Sequence, residues 1–252
     1  MAKSKGGEGK KQRLDKILSH VGYGSRSELR KQAKQGLITV NGVIVKDSSA
    51  HVDPYNDTIE VDGETVLYRE HIYLMMNKPP GVLSATEDKR DRTVLDLLEE
   101  RYAVFEPFPV GRLDKDTVGL LLLTSDGQLA HELLSPRKHV PKTYEALVEG
   151  EVGPDDVAAF AEGVRLDDGY VTLPAQLTIL GRERGRLIIS QISLTITEGK
   201  FHQVKRMFQA VGKKVIFLKR VSMGNLPLDA NLPEGACREL TSEELKLLRT
   251  EI

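Results

Sequence analysis

The chain has 252 residues, of which 40% are hydrophobic and 29% charged, and its formal net charge is −1. A single cysteine, Cys237, excludes an intramolecular disulfide; no stretch approaches the ~18 apolar residues of a membrane span, and neither C-x-x-C nor H-E-x-x-H metal-site spacing occurs. We therefore expect a cytoplasmic protein of two domains, without a membrane span, a secretory leader or a bound metal.

The charge is distributed unevenly along the chain. Residues 1–46 hold 11 Lys and Arg against 3 Asp and Glu, a formal +8, so the remainder carries −9. Within this region, residues 1–12 are rich in lysine and glycine and predict a disordered basic arm. A second basic stretch, from Lys200 to Arg220, holds seven Lys and Arg and no acid. Two basic regions on a nearly neutral chain indicate binding to a polyanion.

Two short helices are predicted after the arm. Residues 13–23 place Leu14, Ile17 and Leu18 at helical spacing. Ser25 and Glu28 have capping-box spacing and begin a second helix that ends near Gly36. The charges on these helices either only solvate a surface or contact RNA phosphates, and the surplus of positive charge favours RNA. The candidate RNA contacts are Arg13, Lys16, Arg26, Arg30, Lys31 and Lys34.

A β-hairpin follows the helices. Two β-rich runs flank Asn41-Gly42, a strong signal for a tight hairpin turn. Two short helices, the second rich in cations, followed by such a hairpin resemble the S4 RNA-binding domain. The resemblance covers residues 13–62 and implies a small RNA-binding domain there, with residues 63–71 as a linker.

Residues 72–252 predict a larger α+β domain. Its first strand ends at Pro79, an amphipathic helix is predicted over 93–102, and Leu120–Leu123 predict a strand buried on both faces. Strands recur without regularly alternating helices, which favours a mixed, mainly antiparallel sheet flanked by helices. The further predicted helices cover 126–135, 153–163, 201–212 and a stretch from Thr241; the further strands cover 142–150, 171–180 and 187–197, with one more after Gly212.

Four charged residues precede the buried leucine strand. They are Arg112, Asp114, Lys115 and Asp116, in a loop that the strand would anchor. An anchored loop can hold catalytic groups without having to fold on its own. The pattern by itself favours a solvated turn with local ion pairs.

Four segments decide between these interpretations: "NKPPGVLSA", "GRLDKDTVGLLLLTSDG", "PKTYEALVEG" and "FHQVKRMF". Their order and spacing resemble the pseudouridine synthases that join an S4 domain to a catalytic domain, and R-L-D followed by T-x-G-L-L is highly specific. K-T-Y at Lys142–Tyr144 resembles the branch that acts on small-subunit ribosomal RNA, the RsuA family. The resemblance implies a pseudouridine synthase fold and, as partner, small-subunit RNA or the assembling subunit.

The same resemblance implies roles for individual residues. Asp114 would be the catalytic aspartate, Arg112 the neighbour that helps to position it, Tyr144 the ring against the target uracil, and Lys205 the basic partner of Asp114. Without the resemblance, Tyr144 would be interpreted as a core residue and Lys205 as a surface cation. Asp116 lies outside R-L-D and is interpreted as a loop-shaping or helix-end residue. Further RNA contacts are expected at Lys142, Arg206 and Lys213.

Isomerisation of uridine involves no net redox change, so no cofactor is expected. We expect a monomer. Three alternatives remain: a synthase for large-subunit ribosomal RNA, a noncatalytic RNA-binding protein of ribosome assembly, and, more weakly, a phosphate-binding enzyme. The intact set of Arg112, Asp114, Tyr144 and Lys205 argues against the second, and the lack of a G-x-x-x-x-G-K-[ST] segment against the third.

Overall fold

The computed structural model describes residues 11–250, which divide into two compact units. The first unit comprises the residues up to 71 together with 99–106, and the second comprises 72–98 and the residues from 107 onward. Most of the predicted basic arm, residues 1–10, lies outside the described residues. Gln12, assigned to the arm, is instead part of a short strand that pairs with Val52.

The first unit contains the two predicted helices. The second of them begins as its sequence predicts, because the Ser25 side chain accepts from the Glu28 backbone N–H while the Glu28 carboxylate accepts from the Ser25 N–H. Leu14, Ile17 and Leu18 are buried against Leu29 in one hydrophobic core. The helices of this unit are α1 (Leu14–His20), α2 (Arg26–Lys34) and α3 (Glu100–Ala103).

The strands of the first unit include the predicted hairpin, in which Asn41 and Gly42 both have positive φ, 52° and 76°. These values match the tight turn that Asn-Gly favours. The strands are β1 (Gln12–Arg13), β2 (Ile38–Val40), β3 (Val43–Ile44), β4 (His51–Val52), β5 (Ile59–Val61) and β6 (Glu64–Thr65). Strands β1 and β4 form a two-stranded sheet and the others a four-stranded sheet of order β3-β2-β5-β6, which through β6 continues into the predicted linker, residues 63–71.

The prediction of one continuous helix over 93–102 is wrong. The chain forms a 3-10 turn at Leu95–Leu97, becomes extended at Leu98 and Glu99, and then begins α3. The Asp96 carboxylate accepts from the Thr93 backbone N–H at 2.7 Å and closes the first turn locally. The break coincides with the passage of the chain from the second unit to the first. Periodicity alone does not show that the apolar residues of 93–102 are divided between two units.

The second unit is built on a nine-stranded sheet, as the predicted α+β class requires. Its strands are β7 (Tyr73–Lys78), β8 (Phe108–Pro109), β9 (Val118–Thr124), β10 (Lys142–Glu149), β11 (Gln176–Arg184), β12 (Ile188–Ile196), β13 (Lys214–Met223), β14 (Leu226–Pro227) and β15 (Cys237–Glu239). The main order is β11-β12-β10-β13-β9-β7-β15, with β14 beside β13 and β8 beside β9. Among the pairs of these strands within residues 11–250, only β9 and β13 are parallel.

Helices flank this sheet. They are α4 (Gly127–Leu134), α5 (Pro154–Glu162), α6 (Gln203–Ala210) and α7 (Ser242–Arg249), each inside or next to its predicted range. A capping box between Thr241 and Glu244 starts α7. Among residues 11–250, no helix has the length and apolar character needed to cross a bilayer.

Strand β9 is buried along its whole length and fixes the loop that precedes it. Its Gly119 has φ 96°, and a Cβ there would lie 2.3 Å from the Arg220 carbonyl oxygen of β13. Real Cβ atoms do not approach a carbonyl oxygen so closely, so the pairing of β9 with β13 requires glycine at this position. The predicted double-sided burial of Leu120–Leu123 is confirmed.

Candidate active site

Residues 111–117 form the loop between β8 and β9 that carries the predicted catalytic aspartate. Leu113 is buried and Asp114 is half-buried, whereas Arg112 is exposed. Leu113 exchanges hydrogen bonds with Ser84: its N–H donates to the Ser84 hydroxyl at 3.1 Å, and that hydroxyl donates to its carbonyl at 3.0 Å. The loop is therefore held from its backbone, which leaves the Asp114 carboxylate available for chemistry.

Lys78 at the end of β7 also holds this loop. Its side chain is fully buried, and its ammonium donates to the carbonyl oxygens of Asp114 at 3.1 Å, Thr117 at 2.9 Å and Pro79 at 3.0 Å. Burial lowers the pKa of Lys78 to about 8 although Asp116 and Asp114 oppose the shift. The segment "NKPPG" contains this lysine, but its role as a buried donor was missed.

The substitution Lys78→Met should destabilise the second unit. Methionine keeps an unbranched apolar stem, so the change removes the ammonium and its hydrogen bonds to the carbonyl oxygens of Thr117 and Pro79, at a cost of roughly 1–3 kcal/mol. We expect a lower free energy of unfolding, measured by urea denaturation. The matched control is Lys89→Met on an exposed side chain of the same unit, which should leave the midpoint unchanged. Equal midpoints for both variants would contradict this role of Lys78.

Lys205 of α6 is the cation next to Asp114, as the family resemblance implied. Its Nζ lies 3.1 Å from Asp114 Oδ2 and 2.6 Å from Asp116 Oδ1. Burial favours the neutral amine, but hydrogen bonds to Asp116 and Asp114 outweigh it and raise the pKa of Lys205. The same lysine hydrogen bond lowers the pKa of Asp116. The site therefore contains one ammonium shared by two carboxylates.

Asp116 lies in the loop but not at the end of a helix. No helix begins at this residue, and its exposed carboxylate pairs with Lys205 at a shorter distance than that of Asp114. Its place outside the R-L-D motif gave no sign of this pairing, because the partner lies 89 positions further along the chain. Asp116 is thus a second carboxylate of the site, more open to solvent than Asp114.

His202 also lies at the site, although the sequence motifs assigned no role to it. Its Nε2 is 3.5 Å from Asp114 Oδ1, and it occupies the N-cap position of α6 with a left-handed backbone, φ 49°. Few non-glycine residues adopt this conformation, and strained backbones of this kind cluster at functional sites. The segment "FHQVKRMF" contains this residue, but only its lysine was assigned a catalytic role.

Tyr144 lies on β10, opposite Arg220 of β13 and Leu194 of β12. Its side chain is 8% exposed. Among residues 11–250, its hydroxyl makes no hydrogen bond and the exposed Arg112 makes no ion pair, so neither contacts Asp114 through a polar group. Arg220, the residue paired with Tyr144 on the neighbouring strand, is buried. Its Nε donates to the Leu120 carbonyl oxygen at 2.8 Å.

Three cations expected to contact RNA are engaged within the protein. Arg206 donates to Asp167 at 2.7 Å and pairs with Asp168 at 2.7 Å. Lys213 pairs with Asp156 at 2.6 Å. Lys142 donates to the Val140 carbonyl oxygen at 2.8 Å, and burial, aided by the charge of Arg220, lowers its pKa to about 8. None of the three therefore has the solvated, unpaired charge of an ordinary phosphate contact.

In the first unit, the cations of α2 are exposed. Arg26, Arg30, Lys31 and Lys34 have no ion pair among residues 11–250, and Lys16 of α1 is likewise exposed. Arg13, by contrast, forms a two-point pair with Asp15 at 2.7 and 3.0 Å. Helix α2 thus presents a cluster of four exposed cations. Across both units, within residues 11–250, no group of three or more His, Cys, Asp or Glu is arranged to hold a metal ion.

Comparisons with known proteins match both units. A family model described as RNA pseudouridylate synthase matches residues 72–210, and one described as S4 domain matches residues 12–59. A crystal structure of a pseudouridylate synthase is similar with a TM-score of 0.65 and 37% sequence identity, covering 94% of this chain and 99% of that one.

Three curated relatives extend this similarity over nearly the whole chain. An RNA pseudouridine synthase of Bacillus subtilis (strain 168) is 55% identical, over 94% of this chain and 98% of the relative. A ribosomal small subunit pseudouridine synthase A of Escherichia coli (strain K12) is 40% identical, over 92% and 98%. A ribosomal large subunit pseudouridine synthase B of Bacillus subtilis (strain 168) is also 40% identical, over 94% and 96%.

Proposed function

Because this chain belongs to the RNA pseudouridylate synthase family and is a pseudouridine synthase, we propose that Asp114 is its reacting carboxylate and small-subunit ribosomal RNA its substrate. The family predicted from the sequence motifs is thereby confirmed, and the family of its first unit, the S4 domain, agrees with an RNA substrate. Membership of this family argues against the alternative of a noncatalytic RNA-binding protein of ribosome assembly.

The position of Asp114 supports its proposed role. The reaction breaks a C–N glycosidic bond and forms a C–C bond without net redox change, so one carboxylate, acting as nucleophile or as base, can carry it. Lys78 donates to the Asp114 carbonyl oxygen and Ser84 holds the backbone of the preceding Leu113, while the Asp114 carboxylate is the one approached by both Lys205 and His202. Backbone anchoring keeps a reacting group in place without using its oxygens. This shared approach is the observation that carries the assignment.

Lys205 and Tyr144 complete the proposed site. An ammonium 3.1 Å from Asp114 stabilises negative charge on that side chain in a partly water-excluded site. The target base must leave its stack before it reacts, at a cost of a few kcal/mol, and an aromatic ring can recover part of that cost by stacking. We assign this stacking to Tyr144, which is 8% exposed.

The choice of small-subunit RNA rests on the K-T-Y sequence at Lys142–Tyr144, which resembles the small-subunit branch. Overall similarity does not separate the branches, because the small-subunit and large-subunit relatives are both 40% identical. The test is to map pseudouridine in the ribosomal RNA of both subunits from cells with and without the protein. We expect one site to disappear from the small-subunit RNA. A loss confined to large-subunit RNA would assign the protein to the other branch.

The first unit is proposed to bind RNA phosphates through α2. The variant Arg30→Gln/Lys31→Gln/Lys34→Gln removes three exposed cations, so affinity for structured RNA should fall and the slope of log affinity against log salt should flatten by about 2–3. The saturated rate of pseudouridine formation should change little. Filter binding at several salt concentrations measures the slope.

A charge-matched control is Lys46→Gln/Arg186→Gln/Lys246→Gln, which neutralises three exposed cations outside α2. We expect a smaller change of slope for this variant. Equal slopes for the two variants would show that α2 has no special part in binding.

A further inference from the structure

Phe201 is the most exposed large hydrophobic side chain in residues 11–250, with 75% of its area accessible. It precedes α6, and its ring stacks on that of His202 with centroids 3.7 Å apart and planes 21° apart. One face of the Phe201 ring is thus covered by the imidazole, while most of the rest of the ring is accessible. A large aromatic surface left in water costs free energy and often marks an interaction site.

The backbone that carries Phe201 is held firmly although its ring is exposed. Arg206 donates from Nη1 to the Phe201 carbonyl oxygen at 3.4 Å, and the Lys200 N–H donates to the Gln203 side chain at 2.8 Å. Gln203 in turn donates to Glu198 at 2.8 Å. These bonds brace both sides of the residue. A braced aromatic ring loses little conformational entropy when a ligand stacks on it.

The ring lies next to the reacting group. His202, which covers one face of Phe201, has its Nε2 3.5 Å from Asp114 Oδ1, so Phe201 stacks on a ring that itself approaches the carboxylate. The cations near this segment are Lys205, which pairs with Asp114, and Lys200, whose Nζ lies 4.5 Å from the centre of the Tyr170 ring. An aromatic face with neighbouring cations at the edge of an RNA-modifying site suits a nucleobase, because bases stack on aromatic rings and their phosphates need positive charge.

We propose that Phe201 stacks on the base of a nucleotide adjacent to the target uridine. Tyr144 is already assigned to the extruded uracil, so Phe201 serves a neighbour that remains in the RNA strand. The inference rests on the proposed role of Asp114, because that residue fixes where the target lies. Stacking of this kind tolerates any base, so Phe201 contributes affinity and alignment of the strand.

The test uses the full-length protein and an RNA fragment containing the uridine that the wild-type protein modifies. Single-turnover rates are measured over a range of enzyme concentrations for Phe201→Leu and Phe201→Trp. We expect the leucine variant to bind the RNA about tenfold more weakly, because leucine lacks a planar face; this factor corresponds to ~1.4 kcal/mol. Its single-turnover rate at saturation should stay near that of the wild type. The tryptophan variant should bind as the wild type does.

Abasic substitutions then identify the stacked nucleotide. The base is removed from each neighbouring position of the RNA in turn, and binding is measured with both the wild type and Phe201→Leu. At one position the wild type should lose about tenfold in affinity and the leucine variant should lose nothing more. Leu187→Ala, at another exposed apolar residue, is the control and should match the wild type throughout.

Two results would overturn the proposal. One is wild-type affinity for Phe201→Leu, and the other is an equal further loss by both proteins at every abasic position. The role of Asp114 fails separately, if Asp114→Asn still forms pseudouridine in the same RNA, because the stacking test compares affinities and does not depend on turnover by that variant.

Discussion

Asp114→Asn is expected to abolish pseudouridine formation, by more than about 10⁴-fold, while RNA affinity changes by less than about tenfold. The amide keeps the size of the side chain and its backbone contacts, including those to Lys78, but it is neither a base nor a nucleophile at neutral pH. The loss should therefore fall on the chemical step. Single-turnover assays at saturating RNA measure it, and filter binding measures the affinity.

The matched control is Asp116→Asn, which alters the other carboxylate paired with Lys205. This variant should retain much more activity, because Asp116 lies outside the R-L-D motif and is more open to water than Asp114. A folded Asp114→Asn protein with appreciable turnover would refute the assignment. If only Asp116→Asn were inactive, the reacting carboxylate would be Asp116.

Lys205→Met should lower the saturated single-turnover rate by about a hundredfold, the usual scale for loss of one preorganised electrostatic group. The change removes an ammonium that two carboxylates share, at 3.1 and 2.6 Å, so negative charge at the site is no longer compensated. Affinity should change much less, because this lysine is engaged inside the site. Lys205→Arg keeps the charge and should restore part of the rate.

Lys214→Met is the contrasting variant. Lys214 is exposed at the start of β13 and belongs to the same basic stretch, so its loss should alter affinity and salt dependence with little effect on the saturated rate. Lys213 is unsuitable for this purpose, because its ion pair with the buried Asp156 makes it structural. If Lys205→Met reacted at the wild-type rate and merely bound weakly, the partner of Asp114 would have to be another group.

Local signals in the sequence predicted much of the fold. The capping box at Ser25 and the Asn41-Gly42 turn each depend on residues within a few positions of one another, and the structure confirms both. The buried strand at Leu120–Leu123 was equally clear, because a short apolar run between polar turns is typical of a strand with both faces in the core.

Long-range contacts of the site could not be predicted from local patterns. Lys78 donates to the Asp114 carbonyl across 36 positions, and Lys205 pairs with Asp116 across 89. A lysine in a sequence is ordinarily interpreted as a surface group, and nothing near Lys78 indicates that its ammonium is buried among carbonyl groups. The motif resemblance suggested a pairing of Lys205 with Asp114, but it gave no place to His202.

The helix predicted over 93–102 failed for a different reason. Periodicity measures whether apolar residues can share one face, and it assumes that they pack against one core. Here Leu98 belongs to the second unit and Glu99 to the first, so the apolar residues on either side of the break belong to different units.

The inclusion of residues 99–106 in the first unit also sets the order in which a nascent chain can fold. Phe105 packs edge-on against His20 with ring centroids 5.6 Å apart, and a Cβ on Gly22 would lie 2.7 Å from Val104. The ribosome releases β7 before residues 99–106. The two strands that pair with β7, which are β9 and β15, emerge only later. During translation the first unit therefore stays incomplete until Glu106 has emerged, and β7 stays unpaired for longer, as the kind of exposed apolar strand that makes a folding chain prone to aggregate.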